Sequence, residues 1–289
     1  MSPKKYKILI KVALLDDIDY SIENRLTELF WGLSKGNQKN IKKIKLLLNR
    51  VKIGNKITFW NGKRNYIQKE IKAITSAVRF VRKKDYITYY FKNPPNLLGI
   101  NFAEFEIKAK VTNASLLQLG KEKQKNLNKK EIKRLTSDTH FWPKSSSIVS
   151  SLQKKLNIDH LNDKEKVIWI HHWVRSNITG YKGPSKRLGV ERTVIAGKGN
   201  CWECSDLFVT LCRKYNIPVR QLAGWLYRRG EFDAGHAWSE VFLKGYGWIP
   251  ADAREGSLAI PCYYIPYYAT DDGKSPVVYL SRPRVFVKQ

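Results

Sequence analysis

A highly charged segment, residues 119–135, divides the chain into two parts with different hydrophobic patterns. Before this segment, short β-rich runs are separated by turn signals, a pattern typical of a sandwich or barrel. After it, amphipathic segments of helical period precede further strands, which indicates an α+β arrangement. We therefore predict a β-rich domain at 1–115, a charged linker at 116–139 and a core at 140–289.

The N-terminal domain is predicted to be β-sandwich-like. The run Lys56–Trp60 leads directly into Asn61-Gly62, a strong hairpin signal, so we expect residues 65–71 to return beside it. Residues 41–48 fit a strand and a short helix equally well. Further expected strands lie at 6–14, 85–91 and 103–112.

The chain is strongly basic, with 53 Lys and Arg against 25 Asp and Glu and a net charge of +28. Residues 1–150 carry +20 of this excess. Such a charge attracts anionic polymers, including nucleic acid. The lysines are scattered, however, and no nucleic-acid recognition motif lies among them, so a Lys-rich solvated surface is the simpler interpretation.

The cysteines do not form a disulfide framework, because three of the four lie within twelve residues, at positions 201, 204 and 212. Cys201 and Cys204 have CxxC spacing, but the sequence offers no second CxxC or HxxxH motif to supply the other ligands of a zinc site. A thioredoxin-like redox pair also fits the surrounding sequence poorly. Free thiols and a start without a signal-peptide pattern predict a cytoplasmic location. The longest uncharged apolar stretch, residues 258–269, is too short to span a membrane.

Cys201 follows Gly199-Asn200 at the start of a predicted apolar helix. The first N–H groups of a helix lack intrahelical partners and carry a partial positive charge, so they stabilise a thiolate. The same groups can hold an oxyanion. These properties make Cys201 a candidate nucleophile, whereas Cys204 and Cys212 lie further along the helix and are predicted to pack in the core.

A thiolate nucleophile needs a base, and the base needs an orienting group. His236 begins one predicted strand and Asp252 ends the next, with a turn near residues 244–245. Antiparallel pairing around this turn places residue 236 opposite 252 or 253.

Residues 163–177 are predicted to form a helix with Asp163 as its N-cap and with an apolar stripe at helical spacing, Val167, Ile170, His171 and Val174. His171 and His172 are adjacent on this helix, so we expect the first to be packed and the second exposed.

Three motifs in this order resemble the transglutaminase-like superfamily. They are the Gly-x-Cys with its apolar helix and Asn-Ile-Pro-x-Arg end at 199–220, His-Ala-Trp-x-Glu-Val at 236–241, and Gly-Trp-x-Pro-x-Asp at 247–252. Asn216 replaces the usual glycine of the first motif. The resemblance implies a papain-like α+β core with a Cys201 nucleophile, a His236 base and acid, and an Asp252 orienting group.

The residues that bind substrate are less clearly marked. Ile195 stands where a papain-type enzyme has its oxyanion glutamine, which leaves the Cys201 N–H as one donor and Tyr181 as a candidate second donor. Candidate cleft-lining side chains are Trp202, Trp225 and Trp238. The implied chemistry needs no metal or organic cofactor.

The resemblance implies an acyl-thioenzyme intermediate and leaves its fate open. The favoured hypothesis is a cysteine-peptidase-like hydrolase that acts on a peptide or protein substrate. A protein-glutamine transglutaminase would use the same triad. A peptide:N-glycanase fits less well, because the paired CxxC zinc motif is absent. The alternative from another class is a binding protein that holds an anionic polymer through the basic N-terminal half.

Overall fold

A computed structural model describes most of the chain. The described residues are 3–16, 20–62, 64, 66–115, 126–180, 187–228, 230–232, 235–255, 258–260, 263–274, 278–281 and 283–288. They divide into two compact units. The first contains Met1–Thr112, Arg228–Phe232 and Lys274–Gln289, and the second contains Asn113–Tyr227 and Asp233–Gly273.

The helices of the described residues are α1 Tyr20–Ser34, α2 Asn40–Leu48, α3 Lys129–Leu135, α4 Ser147–Leu156, α5 Asp163–Asn177, α6 Val190–Ala196 and α7 Cys201–Lys214. The strands are β1 Lys4–Ala13, β2 Leu15–Asp16, β3 Lys52–Ile53, β4 Lys56–Trp60, β5 Ile67–Ala73, β6 Arg79–Lys83, β7 Tyr86–Tyr90, β8 Asn96–Leu97, β9 Ile100–Val111, β10 Ala114–Ser115, β11 Val219–Arg228, β12 Glu231–Phe232, β13 His236–Leu243, β14 Gly247–Ala251, β15 Ala259–Ile260, β16 Tyr264–Thr270 and β17 Arg284–Lys288.

The described part of the first unit contains two larger antiparallel sheets and a short antiparallel pair of β2 with β3. One has the strand order β17-β1-β9-β5, and the other has the order β4-β7-β6. Phe105 of the first sheet lies 4.8 Å from Phe59 and 5.2 Å from Tyr89 of the second, measured between ring centroids. The aromatic contacts form a core between the sheets, which agrees with the predicted sandwich-like domain.

The predicted hairpin at Asn61-Gly62 is wrong. β4 pairs with β7, and β5 pairs with β9, so residues 65–71 do not return beside β4. Gly62 does not adopt the positive φ that a type I′ turn requires. A Cβ on Gly62 would lie 2.6 Å from the Trp60 indole, so this glycine permits close packing against a buried ring.

Two helices accompany these sheets. Residues 41–48, which fit two structures equally well in the sequence, lie within α2. Helix α1 was not among the predicted elements, although its buried residues follow a helical period: Ile22, Leu26, Leu29 and Phe30.

The helices of the second unit surround α7. Residues 203–213 are all buried, and α7 packs against α4, α5, α6 and β13. The predicted apolar stripe of α5 is confirmed, because Val167, Ile170, His171 and Val174 are its buried residues. The N-cap prediction for Asp163 is wrong. Asn162 is the N-cap of α5, and Glu165 completes a capping box.

The sheet of the second unit has the order β16-β11-β13-β14, with all pairs antiparallel. Between α7 and β11, Asn216 has φ +58°. Glycine favours this left-handed conformation and Asn tolerates it, which explains why Asn can replace the usual glycine of the motif.

The C-terminal strand belongs to the first unit. Strand β17 pairs with β1, whereas the predicted core extends from residue 140 to residue 289.

Candidate active site

Cys201 is the first residue of α7 and is partly exposed. Its thiol therefore lies at the helix end where free N–H groups point outward. The backbone N–H of Asn200 donates to Glu203 Oε2 at 2.9 Å, which fixes the N-terminus of the helix. The nucleophile candidate thus has the placement that the sequence predicts.

Glu203 also ties the preceding chain to this helix. Its side chain is buried, and its Oε1 accepts from the backbone N–H of Leu188 at 3.1 Å. A Cβ on Gly199 would lie 2.5 Å from the Cβ of Glu203. Only glycine therefore fits at position 199 without displacing the segment that carries Cys201.

His236 and Asp252 meet at the ends of two paired strands. Their ladder aligns Ser239 with Ala251 and Leu243 with Gly247, so the predicted register, with residue 236 opposite 252 or 253, is wrong. The two side chains nevertheless meet, and His236 Nε2 lies 2.6 Å from Asp252 Oδ2. The Cys201 side chain lies close enough to the same imidazole to raise its pKa. Because Nε2 contacts the carboxylate, Nδ1 is the ring nitrogen left for the thiol. The structure thus brings together all three residues of the predicted triad.

The Asp252 carboxylate is buried but has four hydrogen-bond donors. Oδ1 accepts from the backbone N–H groups of Arg254 at 2.8 Å and Glu255 at 3.0 Å. Oδ2 accepts from His236 and from the Tyr264 hydroxyl at 2.7 Å. Burial alone would raise the pKa of Asp252, but these donors and the charge of His236 lower it below the ordinary value.

The electrostatics of His236 favour its charged form. Burial lowers the pKa of this imidazole, but the hydrogen bonds and charges of Asp252 and Cys201 outweigh burial and raise the pKa to about 10. An imidazolium at neutral pH can stabilise a neighbouring thiolate and can later donate a proton to a leaving group.

Two aromatic rings confine the imidazole. The Trp238 indole is nearly parallel to the His236 ring at 5.9 Å between centroids, and the Tyr264 ring meets it edge-on at 5.7 Å. Trp238 is fully buried, and Trp225 packs against Tyr267 with 2% of its surface exposed. The prediction that Trp225 and Trp238 line an open cleft is therefore not supported, because neither indole offers a surface to substrate.

The other two substrate-binding candidates differ in outcome. Trp202 is partly exposed next to Cys201, and the Arg187 guanidinium lies 5.2 Å from its ring centroid. Trp202 therefore remains a candidate for substrate contact. Tyr181 lies outside the described residues.

Two further cysteines and two histidines are placed as the sequence predicts, and Cys262 lies outside the described residues. Cys204 and Cys212 are free and buried, and burial raises the pKa of Cys204 to about 12 and that of Cys212 further. His171 is buried, and its Nε2 donates to the backbone carbonyl of Asp252 at 2.8 Å. His172 is exposed.

The sequence analysis missed two supports of the site, the Tyr264 hydroxyl on Asp252 and the His171 ring on the Asp252 carbonyl. Tyr264 lies in a segment that matches no motif, and β16 reaches the site through its pairing with β11. Only the buried stripe of α5 gave a signal for His171.

Among the residues that the structure describes, no cluster of His, Cys, Asp and Glu could hold a metal ion. Within the same part of the chain, no helix is long and apolar enough to cross a membrane.

Residues 150–253 match the family model described as the transglutaminase-like superfamily. This range includes Cys201, His236 and Asp252. The matched range also contains all three motifs that resemble this superfamily.

Known proteins similar to the chain include solved structures and a curated relative. A candidate cysteine protease from Cytophaga hutchinsonii has a TM-score of 0.54 at 14% identity, covering 100% of this chain and 90% of that one. This likeness shows the fold. The periplasmic domain of TgpA from Pseudomonas aeruginosa has a TM-score of 0.43 at 14% identity and covers 88% of each chain. An uncharacterized protein of Haemophilus influenzae is 27% identical over 140 residues, which cover 39% of this chain and 37% of that protein. The match thus spans little more than a third of this relative's length.

Proposed function

We propose that this protein is a thiol-dependent acyl-transfer enzyme that hydrolyses amide or peptide bonds. The observation that carries the proposal is that His236 interacts with both Cys201 and Asp252, at 2.6 Å from the carboxylate. A thiol at a helix N-terminus, an imidazole and a buried carboxylate in this order are the groups that acyl transfer requires.

The reaction would begin with the thiolate of Cys201 attacking the carbonyl carbon of the substrate. The developing oxyanion would receive a hydrogen bond from the Cys201 backbone N–H. His236 would then give its Nδ1 proton to the leaving amine as the C–N bond breaks, which produces a thioester and a neutral imidazole. The imidazole would next take a proton from water, whose oxygen attacks the thioester and releases the acid and the thiolate.

Asp252 would act through His236. Its charge favours the imidazolium form, and its hydrogen bond to Nε2 keeps Nδ1 directed at the thiol. A transglutaminase would follow the same acylation and differ only in the acceptor, a lysine amine in place of water. We propose that hydrolysis is the principal outcome and that peptides or proteins are the substrates.

Selective alkylation of the intact protein tests the assembly of the triad. Iodoacetamide labelling followed by peptide mapping is expected to modify Cys201 well before Cys204 and Cys212, because burial keeps the latter two protonated. The rate at Cys201 is expected to fall in His236→Ala and to remain unchanged in His172→Ala, which alters an exposed histidine. Equal rates at all three cysteines would contradict the proposal.

Incubation with glutamine-containing peptides and a fluorescent primary amine then distinguishes the acceptors. Peptide cleavage or ammonia release without amine incorporation is the expected result. Amine incorporation as the main product would replace hydrolysis with protein crosslinking.

The basic first unit supports a second candidate function, the binding of an anionic polymer. A shallow depression of about 680 Å³ on its larger sheet is lined by five lysines and two glutamates: Lys5, Lys7, Lys69, Lys108, Lys110, Glu70 and Glu106. Lysine excess on a sheet face attracts anions through long-range charge. Binding to a single-stranded oligonucleotide that weakens steeply with salt would support this function, and salt-independent binding or none would refute it.

The cytoplasmic location that the sequence analysis predicts stays a prediction.

A further inference from the structure

We propose that Tyr264 is a positioning residue of the triad, which holds the Asp252 carboxylate in its ionised form and in line with His236. This inference rests on the proposed function and extends it to a residue that no motif marks. Tyr264 begins β16, whose pairing with β11 aligns it with Leu226. Only 2% of its surface is exposed, so its hydroxyl acts inside the core.

The direction of the hydrogen bond follows from the chemistry of its partner. An ionised carboxylate has no proton to donate, so the Tyr264 hydroxyl must be the donor to Asp252 Oδ2 at 2.7 Å. The same oxygen accepts from His236 Nε2 at 2.6 Å. One carboxylate oxygen therefore serves both side-chain partners, and the other serves two backbone N–H groups.

Tyr264 also fixes the rings around the imidazole. Its ring meets His236 edge-on at 5.7 Å and Trp238 edge-on at 5.2 Å. Trp238 in turn lies against one face of the imidazole. The hydroxyl and the ring of Tyr264 thus constrain two members of the triad at once, through hydrogen bonding and through packing.

The electrostatic consequence is directional. Donation from Tyr264 lowers the pKa of Asp252, so the loss of the hydroxyl is expected to raise it. The Asp252 carboxyl would then become neutral at a higher pH, and the imidazolium and thiolate would lose its support earlier on acidification. The described titratable and charged groups that interact with this carboxyl are His236 on β13, Tyr264 on β16, Cys204 on α7, His171 on α5, and Arg254 and Glu255 in its own turn. Cys201 on α7 interacts with its partner His236.

The test is the pH profile of Cys201 reactivity in Tyr264→Phe. A pyridyl disulfide reacts with thiolates down to acidic pH, so it reports the acid limb of the profile in the full-length chain. Loss of a hydrogen bond to a charged group changes an ionisation equilibrium roughly tenfold, so the acid limb is expected to move up by about one pH unit. A purely structural loss would lower the rate without moving the limb.

Tyr215→Phe is the matched control. The Tyr215 hydroxyl donates to the backbone carbonyl of Gln153 at 3.3 Å, so this variant loses a comparable group that does not contact Asp252. Its profile is expected to superimpose on that of the unaltered protein. A limb that moves equally in both variants would overturn the role of Tyr264.

A second variant covers the case in which Tyr264→Phe fails to fold. Site-specific 3-fluorotyrosine at position 264 keeps the ring and makes the hydroxyl a stronger donor, so the acid limb is expected to move to lower pH. An unchanged limb in this variant would refute the proposal for Tyr264 alone. Absence of any His236-dependent reactivity at Cys201 in the unaltered protein would instead refute the proposed function itself.

Discussion

Replacing Asp252 by Asn tests the electrostatic logic of the site most directly. The variant keeps the size of the side chain and an oxygen that can accept from His236, but it removes the negative charge. With Asp252 present, the pKa of His236 is raised to about 10. Without the charge, only Cys201 still opposes burial, and the pKa is expected to fall to near the ordinary value of about 6.5.

The size of the effect follows from these two values. At pH 8, an imidazole with a pKa of about 10 is about 99% charged, whereas one with a pKa of about 6.5 is about 3% charged. The population of imidazolium is thus expected to fall roughly thirtyfold in the variant. The reactivity of Cys201 at this pH is expected to fall with it, because the imidazolium stabilises the thiolate.

Nuclear magnetic resonance of ring-labelled histidine measures the titration itself. The chain has five histidines, and His236→Ala identifies the signal of interest by its disappearance. Asp159→Asn, which alters an exposed carboxylate, is the control and is expected to leave the signal unchanged. A His236 signal that titrates near 6.5 in the unaltered protein would refute the reasoning, as would identical titrations with and without the Asp252 charge.

The same pair makes stability depend on pH. Because the pKa of His236 is raised, its contribution is complete below the ordinary value of 6.5 and is lost as the pH rises through about 10. Because the pKa of Asp252 is lowered, its contribution is present above 3.8 and is lost as the pH falls below that value. Urea unfolding of the unaltered protein and Asp252→Asn is therefore expected to differ most at neutral pH.

Three further substitutions test the surrounding structure. Gly199→Ala places a methyl group against Glu203 and is expected to displace the segment that carries Cys201. Alkylation of Cys201 should slow by about tenfold or more, because a misplacement of about 1 Å at such a site lowers a reaction rate by at least this factor. An unchanged rate would show that the segment adjusts freely. Arg220→Met leaves Glu240 buried without its 2.6 Å partner and is expected to cost about 3–5 kcal/mol in urea unfolding. The double variant with Glu240→Leu should recover much of this loss, and no recovery would argue against the pairing. Phe105→Ala removes the central ring of the sandwich core and is expected to cost about 3–5 kcal/mol in the unfolding of the first unit, so a loss below about 1 kcal/mol would contradict the packing described.

The sequence predicted the core of the site well because its signals are local. A turn of three residues, 244–246, joins the strands that carry His236 and Asp252, and the start of a helix marks Cys201. Each inference needed only short-range geometry. The placement of Tyr264 could not be predicted in this way, because it depends on the pairing of β16 with β11, nearly forty residues earlier in the chain.

The errors in the first unit have a related cause. Asn61-Gly62 is a strong local turn signal, but the glycine is required there by the packing of Trp60. Local propensity was overridden by the long-range pairing of β4 with β7 and of β5 with β9, which the local sequence does not show. The capping of α5 was missed by one residue, since Asn162 and Asp163 are both good N-caps and only the reciprocal bond of Glu165 selects the first.

The two contacts that His236 makes in the proposed triad differ in sequence separation. His236 and Asp252 are joined by a hairpin, whereas Cys201 reaches the imidazole only when α7 docks on β13. Hairpins close within microseconds, and contacts of greater sequence separation form more slowly. In the proposed enzyme, the alkylation rate of the Cys201 thiol would therefore report when this docking step of folding occurs. A pulse of alkylating reagent during refolding would time the docking of the central helix with a reporter that the chain already carries.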